Sequence, residues 1–337
     1  MTSDVRIGLL STAHVHAEGY LAAVASMPGV EIVALWDEED ARGRAMAARH
    51  GISFFETEAA LLGAGVDGVV IASVNSEHRR LTELAAAARV HVLCEKPLAT
   101  RVDDAQAMVA ACEAAGVRLM TAFPMRFSPV LGQLANAIRG GALGEVLCLE
   151  GVNTGEMPDV HAGWFADPVL AGGGAIMDHV VHLADAYRWL LGVEVSEVYA
   201  VANRILVEHH AAVETGGLLS LRFANGVFAT IDCSWSKPRG YPTWGGLSIE
   251  AVGSQGVISA DAFRQHLVVY GGPEAGESWP FWGSDANVAM VAEFVAAIRE
   301  EREPAVTGVD GLRALEVVDA AYRSIESGEP MSLQRAE

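Results

Sequence analysis

Lysine is almost missing from this chain of 337 residues. Only Lys96 and Lys237 are lysine, and the others among its 23 basic residues are arginine. Lysine can lose its proton when buried and arginine cannot, so a surviving lysine is a candidate for chemistry; codon bias is the plainer reading. Positive charge is scarce overall, since 43 acidic residues leave a formal charge of −20. That balance repels phosphate backbones and argues against a nucleic-acid partner. No apolar run approaches a membrane span, so no membrane partner is expected. The opening MTSDVRIG has neither a basic region nor a cleavage pattern, so no signal peptide is expected. Cys94, Cys112, Cys148 and Cys233 lie far apart with no CxxC pair. They read as reduced, mostly buried thiols of a cytoplasmic protein.

Glycine is missing where it would matter most. The first apolar run, VRIGLLSTAHVHAEGY (5–20), passes from a strand through a small-residue turn into a helix. A dinucleotide-binding turn usually carries G-x-G-x-x-G there, to clear space for a pyrophosphate at the helix N-terminus. Here the three positions read Ser11, Ala13 and His16. Ser11 and Ala13 are the next smallest choices. His16 fits only if it points away or touches the ligand.

The first third alternates strand candidates (5–10, 31–36, 68–73, 91–94, 118–123) with helical stretches (17–26, 39–50, 77–88, 101–115). Thr100 and Asp103 read as a capping box for the last of these. Such alternation predicts a parallel sheet in an α/β domain over residues 1–123. Past Pro124 the rhythm changes. Helices at 129–139 and 175–191, strands at 146–153, 195–205, 214–223, 226–235, 247–253, 256–261 and 266–271, and helices at 286–301 and 309–327 follow. Residues 124–337 therefore read as an α+β domain on one large, mainly antiparallel sheet.

Several polar residues fall where such a sheet binds ligands, at the carboxyl ends of its strands. Asp37 ends the second strand at the spacing of a ribose-binding carboxylate, though it could simply cap the next helix. With Glu38 beside it, a 2′-phosphate would be repelled, which favours NAD over NADP. Ser73, Asn75 and His78, in ASVNSEHRR (72–80), follow the third long strand; a plain turn and cap is the equal alternative. Glu95 and Lys96, in CEKP, end the next strand, where a surface ion pair is the alternative. In GGGAIMDHVVHLADAYRWLLG (172–192), Asp178, His182 and Asp185 share one helix face. A carboxylate and an imidazole one turn apart suit proton transfer at a hydroxyl or carbonyl; a structural core pair is as consistent with the spacing. His14, His16, His161, His179 and His182 could cluster, but without HExxH or other tight ligand spacing no metal is expected. His209 and His210 read as solvated.

Together, CEKP, the GGGAIMDHVVHLADAYRWLLG helix and the C-terminal GVDGLRALEVVDAAYRSIESGEP resemble the glucose–fructose oxidoreductase / inositol dehydrogenase / MocA family, over essentially the whole chain. The resemblance implies an N-terminal Rossmann domain, a C-terminal α/β domain and a sheet face that makes a dimer or tetramer. It implies Lys96, Asp178 and His182 as the catalytic trio. His182 would be the acid/base, Lys96 would hold the reacting oxygen, and Asp178 would orient the substrate. Asn75 and the Glu95–Lys96 segment would lie near the nicotinamide ribose and Arg126 by the nicotinamide. Trp164, in GWFADP, would border the substrate. The turn Ser11, Thr12, Ala13 and His14 would meet the pyrophosphate. Such members keep at least two of the three glycines, and this chain keeps none in register. His14 is expected to donate to the cofactor or substrate. His16, His179 and Lys237 are expected on the substrate side; Lys237 and Arg239, in WSKPRGYPTWGG, could bind an anionic or polyhydroxylated ligand or belong to a surface loop.

The reading is an NAD-dependent dehydrogenase or reductase of a sugar, polyol or related hydroxy compound. Two alternatives stay open: tightly held NAD that drives elimination or glycoside cleavage without net redox change, and a non-catalytic sensor.

Overall fold

A computed structural model describes residues 4–158, 163–206, 212–243, 245–270, 277–278 and 280–333. His161, His209 and His210 lie outside them. The first half folds as β1 (Val5–Leu10), α1 (Ala17–Ala25), β2 (Val30–Trp36), α2 (Asp40–His50), β3 (Ser53–Phe54), α3 (Glu58–Leu62), β4 (Gly68–Ile71), α4 (His78–Ala87), β5 (His91–Cys94), α5 (Val102–Ala115) and β6 (Leu119–Thr121). These strands form one parallel sheet in the order β3-β2-β1-β4-β5-β6. The inner strands are apolar on both faces because helices cover both; β4 is buried at every residue. The order reverses at β1, between β2 and β4, so a crevice opens beyond the carboxyl ends of these strands.

The second half continues with α6 (Pro129–Arg139), β7 (Val146–Glu156), α7 (Ala175–Leu191), β8 (Val195–Asn203), β9 (Gly216–Phe223), β10 (Phe228–Lys237), β11 (Gly245–Gly253), β12 (Gly256–Asp261), β13 (Val269–Tyr270), β14 (Glu277–Ser278), α8 (Ala286–Arg299), α9 (Gly308–Ser327) and β15 (Met331–Ser332). Its large sheet runs β12-β11-β7-β10-β9-β8-β15. All its pairs are antiparallel except β7 with β10, whose connection passes through α7. Helix α7 lies on the inner face of this sheet, where Gly151 leaves room for Tyr187: a Cβ there would come 2.1 Å from the Tyr187 hydroxyl. That hydroxyl donates to the Thr230 carbonyl at 2.8 Å. Helix α8 packs on α1, and α9 packs on α5 and β6 on one side and on β8 on the other, so α9 spans both sheets.

The structure corrects some local expectations. Arg101, not Thr100, is the N-cap of α5, and no side chain caps it. Thr100 instead abuts Gly172, whose φ of +84° and lack of a Cβ permit the approach. Among the described residues of the run expected as a strand over 266–271, Val269–Tyr270 forms the strand. Strand β3 and helix α3 are too short to give a periodic signal.

Candidate active site

The ends of β1, β4, β5 and β6 and the first turns of α7 converge on one crevice. Helix α7 starts where it does because Gly172–Gly174 let the backbone fold tightly against its neighbours. A Cβ on Gly174 would lie 2.0 Å from the Glu214 carbonyl oxygen, and one on Gly173 would lie 1.9 Å from the Tyr322 hydroxyl. The Glu214 carboxylate then accepts from the backbone N–H groups of Gly174 and Ile176, both at 3.0 Å, and from the Tyr322 hydroxyl at 2.8 Å. A carboxylate here satisfies otherwise unpaired helix donors and opposes the positive end of the helix dipole.

One turn further in, Asp178 meets Lys96. The Lys96 ammonium donates to Asp178 Oδ1 at 2.5 Å, and the Trp235 indole donates to Asp178 Oδ2 at 3.1 Å. Burial pushes the Asp178 carboxyl up, but the Lys96 charge outweighs it and holds the acid well below the usual carboxylate range. His179 Nε2 lies 3.6 Å from Asp178 Oδ2. His182 sits one helical turn beyond Asp178. Burial, and then the Lys96 charge, pull its pKa well below that of free histidine, so its imidazole is neutral at pH 7. Its Nδ1 is buried with no protein partner. Lys96, Asp178, His179 and His182 line a cleft of about 310 Å³ together with His16 and Asn153.

The glycine-free turn is held by its own polar atoms. Ser11 takes the glycine-like conformation, with φ +71°, and its hydroxyl accepts from the Ala13 N–H at 3.1 Å. Thr12 donates from its N–H to Asp37 at 2.8 Å, and its hydroxyl also bonds that carboxylate. Asp37 in addition receives Arg42 at 2.6 Å and 3.1 Å. Arg42 reaches Glu38 and Glu39 as well, so three carboxylates surround its guanidinium.

His14 is 2 % exposed and makes an edge contact with Phe165. Its Nδ1 accepts from the His16 N–H at 3.2 Å, which assigns its proton to Nε2; that atom is buried without a partner. Burial is the main influence on it and draws its pKa down to about 3. His16 differs: 38 % of its side chain is exposed, and Nδ1 pairs with Glu95 Oε1 at 2.8 Å. Glu95 also accepts from the Tyr20 hydroxyl and, at 3.0 Å, from the Lys96 N–H. Burial raises the Glu95 carboxyl, while His14, His16 and the Lys96 charge outweigh it and keep it ionised. One atom each from His14, His16 and Glu95 lies within 4.8 Å of the others, a spacing that could hold a metal ion. No metal was expected from the sequence; of this set, His16 Nδ1 and Glu95 Oε1 pair with each other at 2.8 Å.

The other expected residues divide. Ser73 is buried at the end of β4, its hydroxyl on the Val74 carbonyl at 3.1 Å. Asn75 donates to the Ala171 carbonyl at 2.9 Å, tying the crevice edge to the loop before α7, and its Oδ1 is buried without a partner. His78 is fully buried and bonds the Pro97 carbonyl at 3.0 Å, bracing the cis Lys96–Pro97 segment rather than lining the cleft. Trp164 donates to the Ala13 carbonyl at 3.0 Å and so covers the glycine-free turn. Arg126 makes a bidentate pair with Asp185 at 2.8 Å and 2.6 Å and also reaches Asp310 at 3.0 Å. Asp185, on the predicted face of α7, thus joins an ion network and not the cleft. Lys237 lies in an adjoining pocket, over the Tyr241 ring.

Five residues here escape sequence reasoning. Tyr20 is one helical turn after His16, and Asn153 is a polar residue in the inward register of β7, where it donates to the His179 carbonyl at 3.0 Å. Those spacings could have been noticed. Glu214, Trp235 and Arg42 carry no local signal, because their partners lie far away in sequence or compete with a simple surface reading.

A doubly wound sheet, a carboxylate at the end of β2 and a Lys–Asp–His set where the end of β5 meets α7 define a nicotinamide-dependent oxidoreductase. Residues 6–123 match the oxidoreductase family with an NAD-binding Rossmann fold, and residues 132–259 match the GFO/IDH/MocA C-terminal domain. The chain belongs to the GFO/IDH/MocA oxidoreductases. It is 32 % identical to a D-apiose dehydrogenase of Paraburkholderia graminis, over 98 % of this chain and 88 % of that one. It is 28 % identical to a myo-inositol 2-dehydrogenase of Thermotoga maritima, over 97 % of both. The solved structure of GenD2 from gentamicin A biosynthesis, in complex with NAD, superposes with a TM-score of 0.91 at 25 % identity, covering 99 % of this chain and 98 % of that one.

Proposed function

We propose that this protein transfers a hydride between NAD and a hydroxyl-bearing carbon of a sugar or polyol, with Lys96, Asp178 and His182 doing the proton chemistry. The observation that carries this is the Lys96–Asp178 pair, 2.5 Å apart, facing a neutral His182 in one cleft. The residues present fit the cofactor. Buried polar atoms without partners, among them Asn75 Oδ1, His179 Nε2 and His182 Nδ1, lie around the crevice. At the far end, the Arg42 guanidinium is clasped by Asp37, Glu38 and Glu39 and offers little to a 2′-phosphate, which supports NAD over NADP.

Bound there, NAD supplies the hydride acceptor. Lys96 donates a hydrogen bond to the substrate oxygen and stabilises the negative charge that grows on it. His182, neutral, accepts the hydroxyl proton as the carbonyl forms and returns it in reduction. Asp178, fixed by Trp235, keeps Lys96 in place. His16, Trp164 and His179 bound the substrate; the Ser11–His14 turn, Asp37, Ser73, Asn75, His78, Glu95 and Arg126 hold or support the cofactor side.

The relatives' names, D-apiose dehydrogenase and myo-inositol 2-dehydrogenase, place sugars and polyols first among substrates to try. The division at residue 123/124, a cytoplasmic location and a homo-oligomer belong to the same reading. Val152, Tyr199, Val201, Leu218 and Phe228 project from the outer face of the large sheet, each at least 40 % exposed, and support self-association through it. Calorimetric titration with NAD, NADH and NADP, followed by turnover assays on pentoses, hexoses and inositols, tests the proposal. NAD binding with NADH formation is expected, and failure to bind any dinucleotide would remove it.

A further inference from the structure

The second lysine lies beside the cleft that holds the first. Lys237 ends β10, paired there with Glu156 of β7. Its ammonium lies 3.6 Å from the centroid of the Tyr241 ring. It also lies against the backbone at Gly246, where a Cβ would come 3.4 Å from Nζ. Among the described residues no acidic oxygen pairs with it. The contrast with Lys96, held by Asp178, is plain, and so is the contrast with the many arginines that each meet one or more carboxylates. Arg6 and Arg299, which also lack a carboxylate, are held by backbone carbonyls instead, whereas Lys237 lies against a ring and glycine backbone at the edge of a pocket.

Its surroundings make that exception usable. Lys237, Tyr241, Thr243, Asp261, Arg264 and His266 line a pocket of about 320 Å³. Gly245, Gly246 and Phe263 are common to this pocket and to the cleft that holds Lys96 and His182. The two spaces are therefore neighbours across the Gly245–Gly246 backbone and the Phe263 ring. Arg264 adds a second cation at the rim, partly engaged by Asp261 at 3.2 Å. The overall negative charge disfavours anions at long range, but it is screened within about 10 Å in ordinary salt, whereas a contact with Lys237 is not.

We infer that the substrate is a sugar or polyol bearing an anionic group, a carboxylate or a phosphate ester, with its reacting carbon at Lys96 and His182 and its anion on Lys237. The sugar part rests on the proposed function; the anion part rests on Lys237. Calorimetry with D-glucose, D-glucuronate and D-glucose 6-phosphate reads the subsite directly, with or without turnover. At least one of the two anions should bind the wild-type protein about tenfold or more tightly than glucose, the scale of a charge-assisted hydrogen bond. Which anion wins separates carboxylate from phosphate. Added salt should weaken that binding. Lys237→Met should abolish the preference and Lys237→Arg should keep it, with circular dichroism reporting that both are folded. Anions that bind no more tightly than glucose, or that bind Lys237→Met as well as wild type, overturn the inference. NAD-dependent oxidation of neutral sugars with no anion preference would sink this inference and spare the proposed function. Lys237-dependent anion binding without dinucleotide binding would do the reverse.

Discussion

Replacing His14 by asparagine should make the protein less sensitive to acid. His14 is buried, and its pKa falls from 6.5 in the unfolded chain to about 3 in the fold. The unfolded chain therefore takes up a proton below pH 6.5 that the folded protein refuses. Stability drops as pH falls through that window and levels off only near pH 3. From pH 7 to pH 5 the shift corresponds to about 2 kcal/mol from this one residue. Asparagine keeps an acceptor for the His16 N–H but does not titrate. The Asp178 carboxyl is lowered and stays ionised throughout this range, so it does not blur the comparison. His78, His179 and His182 are also lowered and contribute equally to both proteins. Urea unfolding at pH 7, 6 and 5 measures the effect. Wild type should lose about 2 kcal/mol more than His14→Asn over that interval. Parallel pH profiles would refute the claim that His14 is buried and neutral.

Two other substitutions probe the frame of the site. Arg126→Met strands Asp185 in the core and should cost about 3–5 kcal/mol in urea unfolding, with Asp185→Leu in the same chain restoring much of it; a stable single variant with weakened NADH binding would place Arg126 at the cofactor instead. Gly174→Ala forces a Cβ into the Glu214 carbonyl and should cost about 1–3 kcal/mol or more, because the start of α7 must move; its turnover should fall more steeply than its NADH affinity, and unchanged stability and turnover would show that the tight start of α7 is not needed.

The parallel sheet was legible because its signal is local: apolar strands bounded by helix periodicity and strand-end polar residues. The Lys96, Asp178 and His182 positions were legible for the same reason, since each ends a strand or shares a helix face. The partners of His78 and Arg126 were not. A histidine after a strand end can face a ligand or a backbone carbonyl, and here the Pro97 carbonyl takes it. Arg126 is matched by Asp185 and Asp310, which lie 59 and 184 residues away. The opening turn was legible in part. Small Ser11 and Ala13 predicted a tight bend, but that His14 would be enclosed and His16 left at the cleft depends on Phe165 and Glu95, on distant elements.

The central claim is that His182 moves the proton at a site that binds NAD. It is tested by measuring, on His182→Ala and wild type alike, NADH affinity by calorimetry and NAD-dependent turnover of the best sugar or polyol substrate. The account predicts an unchanged NADH affinity and a turnover lowered by about 10²-fold or more, the usual loss when an acid/base group is removed. Wild-type turnover in the variant would contradict it.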